Sequence, residues 1–184
     1  SDLILIGSGF DDTLFGTTGA DTLQGGNGND GLVGGAGGDT IDGGAGTDSV
    51  SFANSAAAIT ASFATGSLVV SAADAVGDSY TSIEGVVGSA FADTLRGGAG
   101  IELLDGGLGD DTLYGSGGAD TITGGGGFDT IDYSASSAAI TARLDGTASS
   151  GGDAAGDVLS GIEQVIGTAF ADTFLGTGAD ETFR

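Results

Sequence analysis

Residues 25–51, from Gly25 to Ser51, read GGNGNDGLV, GGAGGDTID and GGAGTDSVS, three near-copies of one nine-residue phrase. Each copy opens on glycine, carries aspartate at its sixth position (Asp30, Asp39, Asp48) and an aliphatic residue at its eighth (Leu32, Ile41, Val50). The phrase extends outward from there. Five nonamers run from Gly7 to Ser51, five more from Gly88 to Asp132, and a third set opens at Gly167 with GTAFADTFL and GTGADETFR. In all twelve the first residue is glycine, the sixth is acidic and the eighth is apolar. A low-complexity tract would not hold three positions in phase, so the repeat is a structural unit.

Glycine supplies the positive φ values that tight turns need, and threonine beside β-branched residues favours extended chain. Each nonamer therefore divides into a six-residue turn and a three-residue strand such as DTL or DTI, with one inward apolar side chain. One such unit cannot bury that side chain alone. Two nonamers closing one coil of a solenoid put Leu32 and Ile41 on opposite walls of a shared core, and stacked coils align the sixth-position acids of nonamers two apart.

The remaining segments also match each other. SAAAITASF pairs with SSAAITARL, and DAVGDSYTSIEGVVG with DAAGDVLSGIEQVIG. The chain thus divides into residues 1–6 as the tail of a preceding linker coil, a nonamer block 7–51, linker coils 52–87, a block 88–132, linker coils 133–166 and the start of a third block 167–184, all in one continuous solenoid. It reads as a window on, or a subunit resembling, a longer array. Period-two alternation places Ile59, Ala61, Phe63 and Ile140, Ala142, Leu144 inward and predicts wider β coils in the linkers. Asp74, Asp78, Asp153 and Asp157 are either further ligands or solvated carboxylates, and Glu84 and Glu163 read as strand terminators.

Composition narrows the function. Twenty-six acids face three arginines with no lysine or histidine, a formal charge of −23, so the metal-free chain repels itself. Nucleic acid and anionic membranes are bound through the cationic side chains this chain nearly lacks. No cysteine is present for disulfides or thiolate zinc sites, and no hydrophobic run approaches the length of a membrane helix. Catalysis is not expected, because serine and threonine have no histidine, lysine or cysteine to activate them. Threonine recurs at the seventh position, but Thr18, Asn27, Ala36 and Ala45 form no outward ladder of the kind an ice-binding face needs. Carboxylates beside exposed carbonyls in glycine turns are an all-oxygen donor set, which suits Ca2+ with its 6–8 oxygen ligands.

The phrase G-G-x-G-x-D-x-U-x, U being a large aliphatic residue, resembles the repeats-in-toxin (RTX) family, in the branch where nonamer blocks alternate with GD…IE…G linkers, as in bacterial adhesins and surface-layer proteins. The resemblance implies an all-β, right-handed parallel β-roll with calcium between turns, about six Ca2+ or more. It implies as ligands the sixth-position acids, paired as Asp12 with Asp30, Asp21 with Asp39, Asp30 with Asp48, Asp93 with Asp111, Glu102 with Asp120 and Asp111 with Asp129, and Asp172 in the third block. It adds the carbonyls of positions two and four of one turn (Ser8, Phe10, Thr17, Gly19, Gly26, Gly28; Ser89, Phe91, Gly98, Gly100, Gly107, Gly109). Positions one and three of the turn above complete the set (Gly25, Asn27, Gly34, Ala36, Gly43, Ala45; Gly106, Leu108, Gly115, Gly117, Gly124, Gly126).

Three departures from the pattern matter. Glu102 replaces aspartate and Leu103 the usual small residue, which predicts a distorted site. Phe10, Phe91 and Phe170 replace the fourth-position glycine in each opening nonamer, which predicts a specialised entry coil. The function implied is an extracellular, calcium-folded structural protein, exported by a type I bacterial route. The alternatives are a head-to-tail subunit of a filament or surface layer, and a C-terminal accessory module of a secreted toxin or hydrolase.

Overall fold

The computed structural model describes residues 1–184 apart from the side chain of Ala73. Short parallel strands and glycine turns alternate along it, with no α-helix among the described residues. The strand of a nonamer occupies its seventh to ninth positions, as in Thr13–Phe15, Gly31–Val33 and Ser49–Ser51, one residue later than the expected D-T-L. The sixth amide is diverted from the ladder: Asp12 N–H donates to the Asp30 carboxylate at 2.8 Å, and backbone pairing resumes with Gly31 N–H donating to Asp12 C=O at 2.9 Å. Alternate strands run on through the following turn, Thr22–Asn27, Thr40–Ala45, Leu103–Leu108 and Thr121–Gly126. There Gly26 stacks on Gly44 so closely that a Cβ on Gly44 would lie 2.1 Å from Gly26 O.

Pairing joins residues 18 apart, so two nonamers make one coil of a parallel β-roll. Leu14, Leu32, Val50, Val86, Leu104, Ile122 and Leu159 are register partners in turn along one seven-stranded sheet. Facing them, Leu5, Leu23, Ile41 and Tyr80 form one column, and Ala61, Leu95, Leu113, Ile131, Val165 and Phe183 another. The eighth-position residues from Leu23 to Ile131 are fully buried, so the core is essentially one side chain wide from each wall. Burying each such residue contributes about 1.5–3 kcal/mol.

The linkers differ from the expected wider coils. Ile41 is covered by Tyr80 and not by Ala61, which instead pairs with Leu95. Between them the chain leaves the roll as an antiparallel strand, Val69–Ser71, laid on Thr60–Ser62, followed by a 3-10 turn Ala73–Ala75. The second linker repeats this with a Thr141–Ser150 bridge and a 3-10 turn Gly152–Ala154, after which Leu159 covers Ile122 and Phe174 covers Ala142. The alternating Ile59, Ala61, Phe63 and Ile140, Ala142, Leu144 are buried. A block holds five nonamers, an odd number, so successive linkers interrupt opposite walls. The first ends the four-stranded sheet at Ser79–Thr81, and the second ends the seven-stranded sheet at Val158–Ser160.

Candidate metal centre

The sixth-position acids form a ladder along the roll. One oxygen of an acid accepts the backbone N–H of the equivalent residue one coil earlier: Asp12 to Asp30 at 2.8 Å, Asp21 to Asp39 at 2.8 Å and Asp30 to Asp48 at 2.7 Å. In the second block the steps are Asp93 to Asp111 at 2.7 Å, Glu102 to Asp120 at 2.9 Å and Asp111 to Asp129 at 2.8 Å. The structure therefore brings together each pair of acids named from the repeat. It also continues the ladder into the linkers, where Asp39 N–H donates to Asp78 at 2.7 Å and Asp48 N–H to Glu84 at 3.0 Å. Asp120 and Asp129 do the same to Asp157 and Glu163, at 3.0 and 2.8 Å. The signal for these four was the matched GD and IE of the two linkers, but their spacing from the block is not the repeat's own. Asp172 holds Ile140 N–H at 2.9 Å. Asp74 and Asp153 sit in the 3-10 turns, outside the ladder.

The second carboxylate oxygen separates two kinds of nonamer. In the first two of each block it accepts the second-position N–H: Ser8 to Asp12, Thr17 to Asp21 and Ser89 to Asp93, each at 2.5 Å, and Gly98 to Glu102 at 3.0 Å. The third block follows suit, with Thr168 to Asp172 at 2.6 Å and Thr177 to Glu181 at 2.7 Å. In the last three nonamers of each full block the second residue has positive φ: Gly26 +114°, Gly35 +95°, Gly44 +106°, Gly107 +95°, Ser116 +71° and Gly125 +111°. The amide no longer reaches the carboxylate. Asp30, Asp39, Asp48, Asp111, Asp120 and Asp129 each keep a buried Oδ2 with no hydrogen-bond partner. An unpaired buried acceptor of this kind costs about 1–3 kcal/mol, more when charged.

The departures from the pattern fall in the self-bonded nonamers. Glu102 is buried and donates its N–H to Asp120, but among the described residues its own carboxylate accepts only Gly98 N–H, to which its extra methylene lets it reach back. Phe10, Phe91 and Phe170 are exposed, and their amides donate to the second-position hydroxyls of Ser8, Ser89 and Thr168 at 3.3, 3.1 and 2.9 Å. The opening nonamer is thus built around a hydroxyl at position two that the glycine nonamers lack.

Turn carbonyls alternate in direction. Those of positions two and four face the next coil: a Cβ on Gly26 would lie 2.3 Å from Ser8 O, and one on Gly37 2.2 Å from Gly19 O. Those of positions one and three face back, Gly43 O standing 2.5 Å from a Cβ on Gly25, and Ala45 O accepting Gly28 N–H at 3.0 Å. The unpaired carboxylate oxygens join them, since the same Cβ on Gly25 would meet Asp30 Oδ2 at 2.2 Å. At Gly106 the two oxygens are Asp111 Oδ2 at 2.3 Å and Gly124 O at 2.4 Å. Glycine at position one is what leaves this oxygen-lined cradle open.

Electrostatics divide along the same line. Second-position hydrogen bonds hold Asp21 and Glu181 below the ordinary carboxylate range, Thr17 N–H acting on the first and the Thr177 hydroxyl on the second. Burial, then the neighbouring carboxylates, pushes Asp48, Asp120 and Asp129 up, and Asp111 up to about 6. No basic side chain relieves them. Arg96 stacks on Tyr114, and the single ion pair among the described residues, Arg143 with Asp145, lies in the second linker at the end of the strand Thr141–Arg143. No group of three or more metal-binding side chains occurs among the described residues, so an ion here must take carbonyls as well. Paired carboxylates with unsatisfied oxygens, flanked by carbonyls and lacking nitrogen or sulfur donors, fit a hard cation with a high oxygen coordination number, which is Ca2+. Such an ion would supply the positive charge that stacked carboxylates need to stay ionised when buried.

A family model for the RTX calcium-binding nonapeptide repeat matches four times, at residues 6–41, 32–54, 86–100 and 97–131, together more than half of the chain. No curated protein matches. With the stacked coils, the acid ladder and the oxygen-lined turns, these matches show that the chain belongs to the RTX calcium-binding nonapeptide repeat family and is a calcium-binding structural repeat domain.

Proposed function

We propose that this chain is an extracellular, non-catalytic module that Ca2+ folds and stiffens into a rod. The observation that carries the reading is the row of six buried Asp Oδ2 atoms without a partner. In the metal-free chain they oppose folding; each ion taken up between coils converts a repulsive rung into a cross-link, and by linkage stabilises the folded state in proportion to the Ca2+ present. Asp30 and Asp111 lie at the centres of their blocks, with an acid rung on either side, and each would serve two ions. Extracellular modules of this type bind at about 10⁻⁴–10⁻³ M, which would leave the chain unfolded at cytosolic Ca2+ and folded outside the cell. The absence of histidine, lysine and cysteine from the sequence supports a non-catalytic role.

Circular dichroism of the wild type and of Asp30→Ala/Asp111→Ala, titrated with Ca2+ from chelator into the millimolar range, tests this. The wild type should gain β signal with Ca2+, and the variant should require more of it. An unchanged titration in the variant removes those two residues from the ligand set, and a β signal already complete in chelator removes the switch.

Head-to-tail stacking of copies is a second reading. Ile4–Ile6 and Thr182–Phe183 are each paired along one edge only, and Ile4 and Ile6 are exposed, so either strand can take a further coil, whether of a longer chain or of a second copy. Size-exclusion chromatography in Ca2+ distinguishes the two, a concentration-independent monomer ruling out assembly.

A further inference from the structure

We propose that each linker supplies one further Ca2+ site where it meets the preceding nonamer block, formed by Asp48, Glu84 and Ser82 O in the first and by Asp129, Glu163 and Gly161 O in the second. The inference rests on the calcium-binding reading above and adds residues that lie outside the nonamer repeat.

Within a block the cradle beside a first-position glycine holds two oxygens, the unpaired carboxylate of its own turn and the first-position carbonyl of the turn above, as at Gly25 and Gly106. The fifth nonamer of each block has no further nonamer stacked above it, yet its cradle is equally furnished. A Cβ on Gly43 would lie 2.1 Å from Ser82 O and 2.6 Å from Asp48 Oδ2, and one on Gly124 would lie 1.9 Å from Gly161 O and 2.7 Å from Asp129 Oδ2. Asp48 and Asp129 are fully buried, and those Oδ2 atoms have no hydrogen-bond partner.

The short phrases Ser82-Ile83-Glu84 and Gly161-Ile162-Glu163 do the work of a six-residue turn. Ser82 and Gly161 take positive φ, +50° and +59°, and supply the carbonyl. Ser82 is one of only two non-glycine residues with φ > 0 among the described residues, a strained conformation that the surrounding contacts must enforce. Two residues on, Glu84 takes the acid rung, its longer side chain spanning what the shortened backbone does not, and accepts Asp48 N–H at 3.0 Å. Glu84 and Gly85 N–H both donate to Asp48 C=O, at 2.9 and 2.8 Å; Glu163 and Gln164 N–H do so to Asp129, at 3.1 and 2.9 Å. That backbone clamp fixes the glutamate over the block.

The other junction, above the fourth nonamer, keeps the unpaired Oδ2 of Asp39 and Asp120 but differs in the rest. No linker carbonyl enters the cradle of Gly34 or Gly115, and the linker acids there are satisfied by tyrosine: Tyr80 Oη donates to Asp78 at 2.8 Å and Tyr133 Oη to Asp157 at 2.7 Å. The proposal is therefore confined to the glutamate rungs.

Native mass spectrometry of the Ca2+-loaded chain counts the ions. Glu84→Gln and Glu163→Gln keep an acceptor for the aspartate amide and remove the charge; each should bind one ion fewer than wild type, and the double variant two fewer, with the β signal in Ca2+ retained. An unchanged count in the double variant overturns the proposal. A wild type that binds no Ca2+ overturns instead the reading on which it rests. Should the double variant not fold, wild-type crystals grown in Ca2+ decide: anomalous peaks are expected beside Asp48 and Asp129, and peaks at Asp30 and Asp111 without them overturn the junction sites.

Discussion

Thr17 and Gly26 hold the same place in consecutive phrases, yet Thr17 N–H satisfies Asp21 while Gly26, at φ +114°, leaves Asp30 unpaired. The difference between a self-bonded turn and one prepared for a cation thus lies in one residue's backbone, and glycine is the residue that adopts it without strain. Gly25→Ala should disable such a turn, because its Cβ would stand 2.2 Å from Asp30 Oδ2 and 2.5 Å from Gly43 O. We expect a Ca2+ requirement for folding at least about tenfold higher than wild type, the scale on which disturbed metal sites lose affinity, read from the midpoint of the titration. Asp111 makes a second prediction. Its carboxyl titrates at about 6 instead of 3.8, so its protonation supports the metal-free fold fully below pH ~4 and that support is lost as pH rises through 6. In metal-stripped buffer the β signal in circular dichroism should therefore be larger at pH 4 than at pH 8, where the chain is expanded. In saturating Ca2+ the ionised form is the one held, and the order should reverse; the same order in both buffers would contradict the assignment. The acids and glycines were legible in the sequence because the repeat shows them twelve times over. The division into open and self-bonded turns was not, since it depends on the sign of φ, and Gly98 and Gly26 are the same letter with opposite roles.

At the scale of the element, the nonamer strand is short because the amide just before it, that of the sixth residue, serves the carboxylate ladder, and the column of eighth-position residues makes the wall. Leu32→Ala should cost about 2–5 kcal/mol, measured by denaturant unfolding in fixed Ca2+, because the residue is fully buried between Leu14 and Val50 and its cavity has no side chain to spare for filling. The linkers show what sequence alone could not supply. Alternation identified Ile59, Ala61, Phe63 and their counterparts as inward, since period two is a property of the strand itself. That Tyr80 and not Ala61 covers Ile41 depends on pairing between residues 39 apart, which no local pattern encodes. The tyrosines follow from that topology. Tyr133→Phe should leave Asp157 Oδ2 buried without its donor and lower stability by about 1–3 kcal/mol in a thermal melt. Tyr80→Phe should cost less, because Tyr80 is only partly buried.

Over the whole molecule, 26 acids against three bases are stacked on a core one side chain wide from each wall, an arrangement that water and monovalent salt alone stabilise poorly. The acids carry the ladder through both blocks and into both linkers, while the two walls exchange interruption at each linker. Cations between the rungs turn this charge distribution into a set of cross-links along the axis, which is why the fold and the ion belong to one account. Small-angle X-ray scattering of the wild type in chelator and in millimolar Ca2+ tests that account most directly. In chelator we expect an expanded chain with a radius of gyration on the order of 45 Å, the size of an unfolded chain of this length. In Ca2+ we expect a rod of much smaller radius with a constant cross-section. A rod of the same dimensions in both buffers would contradict it.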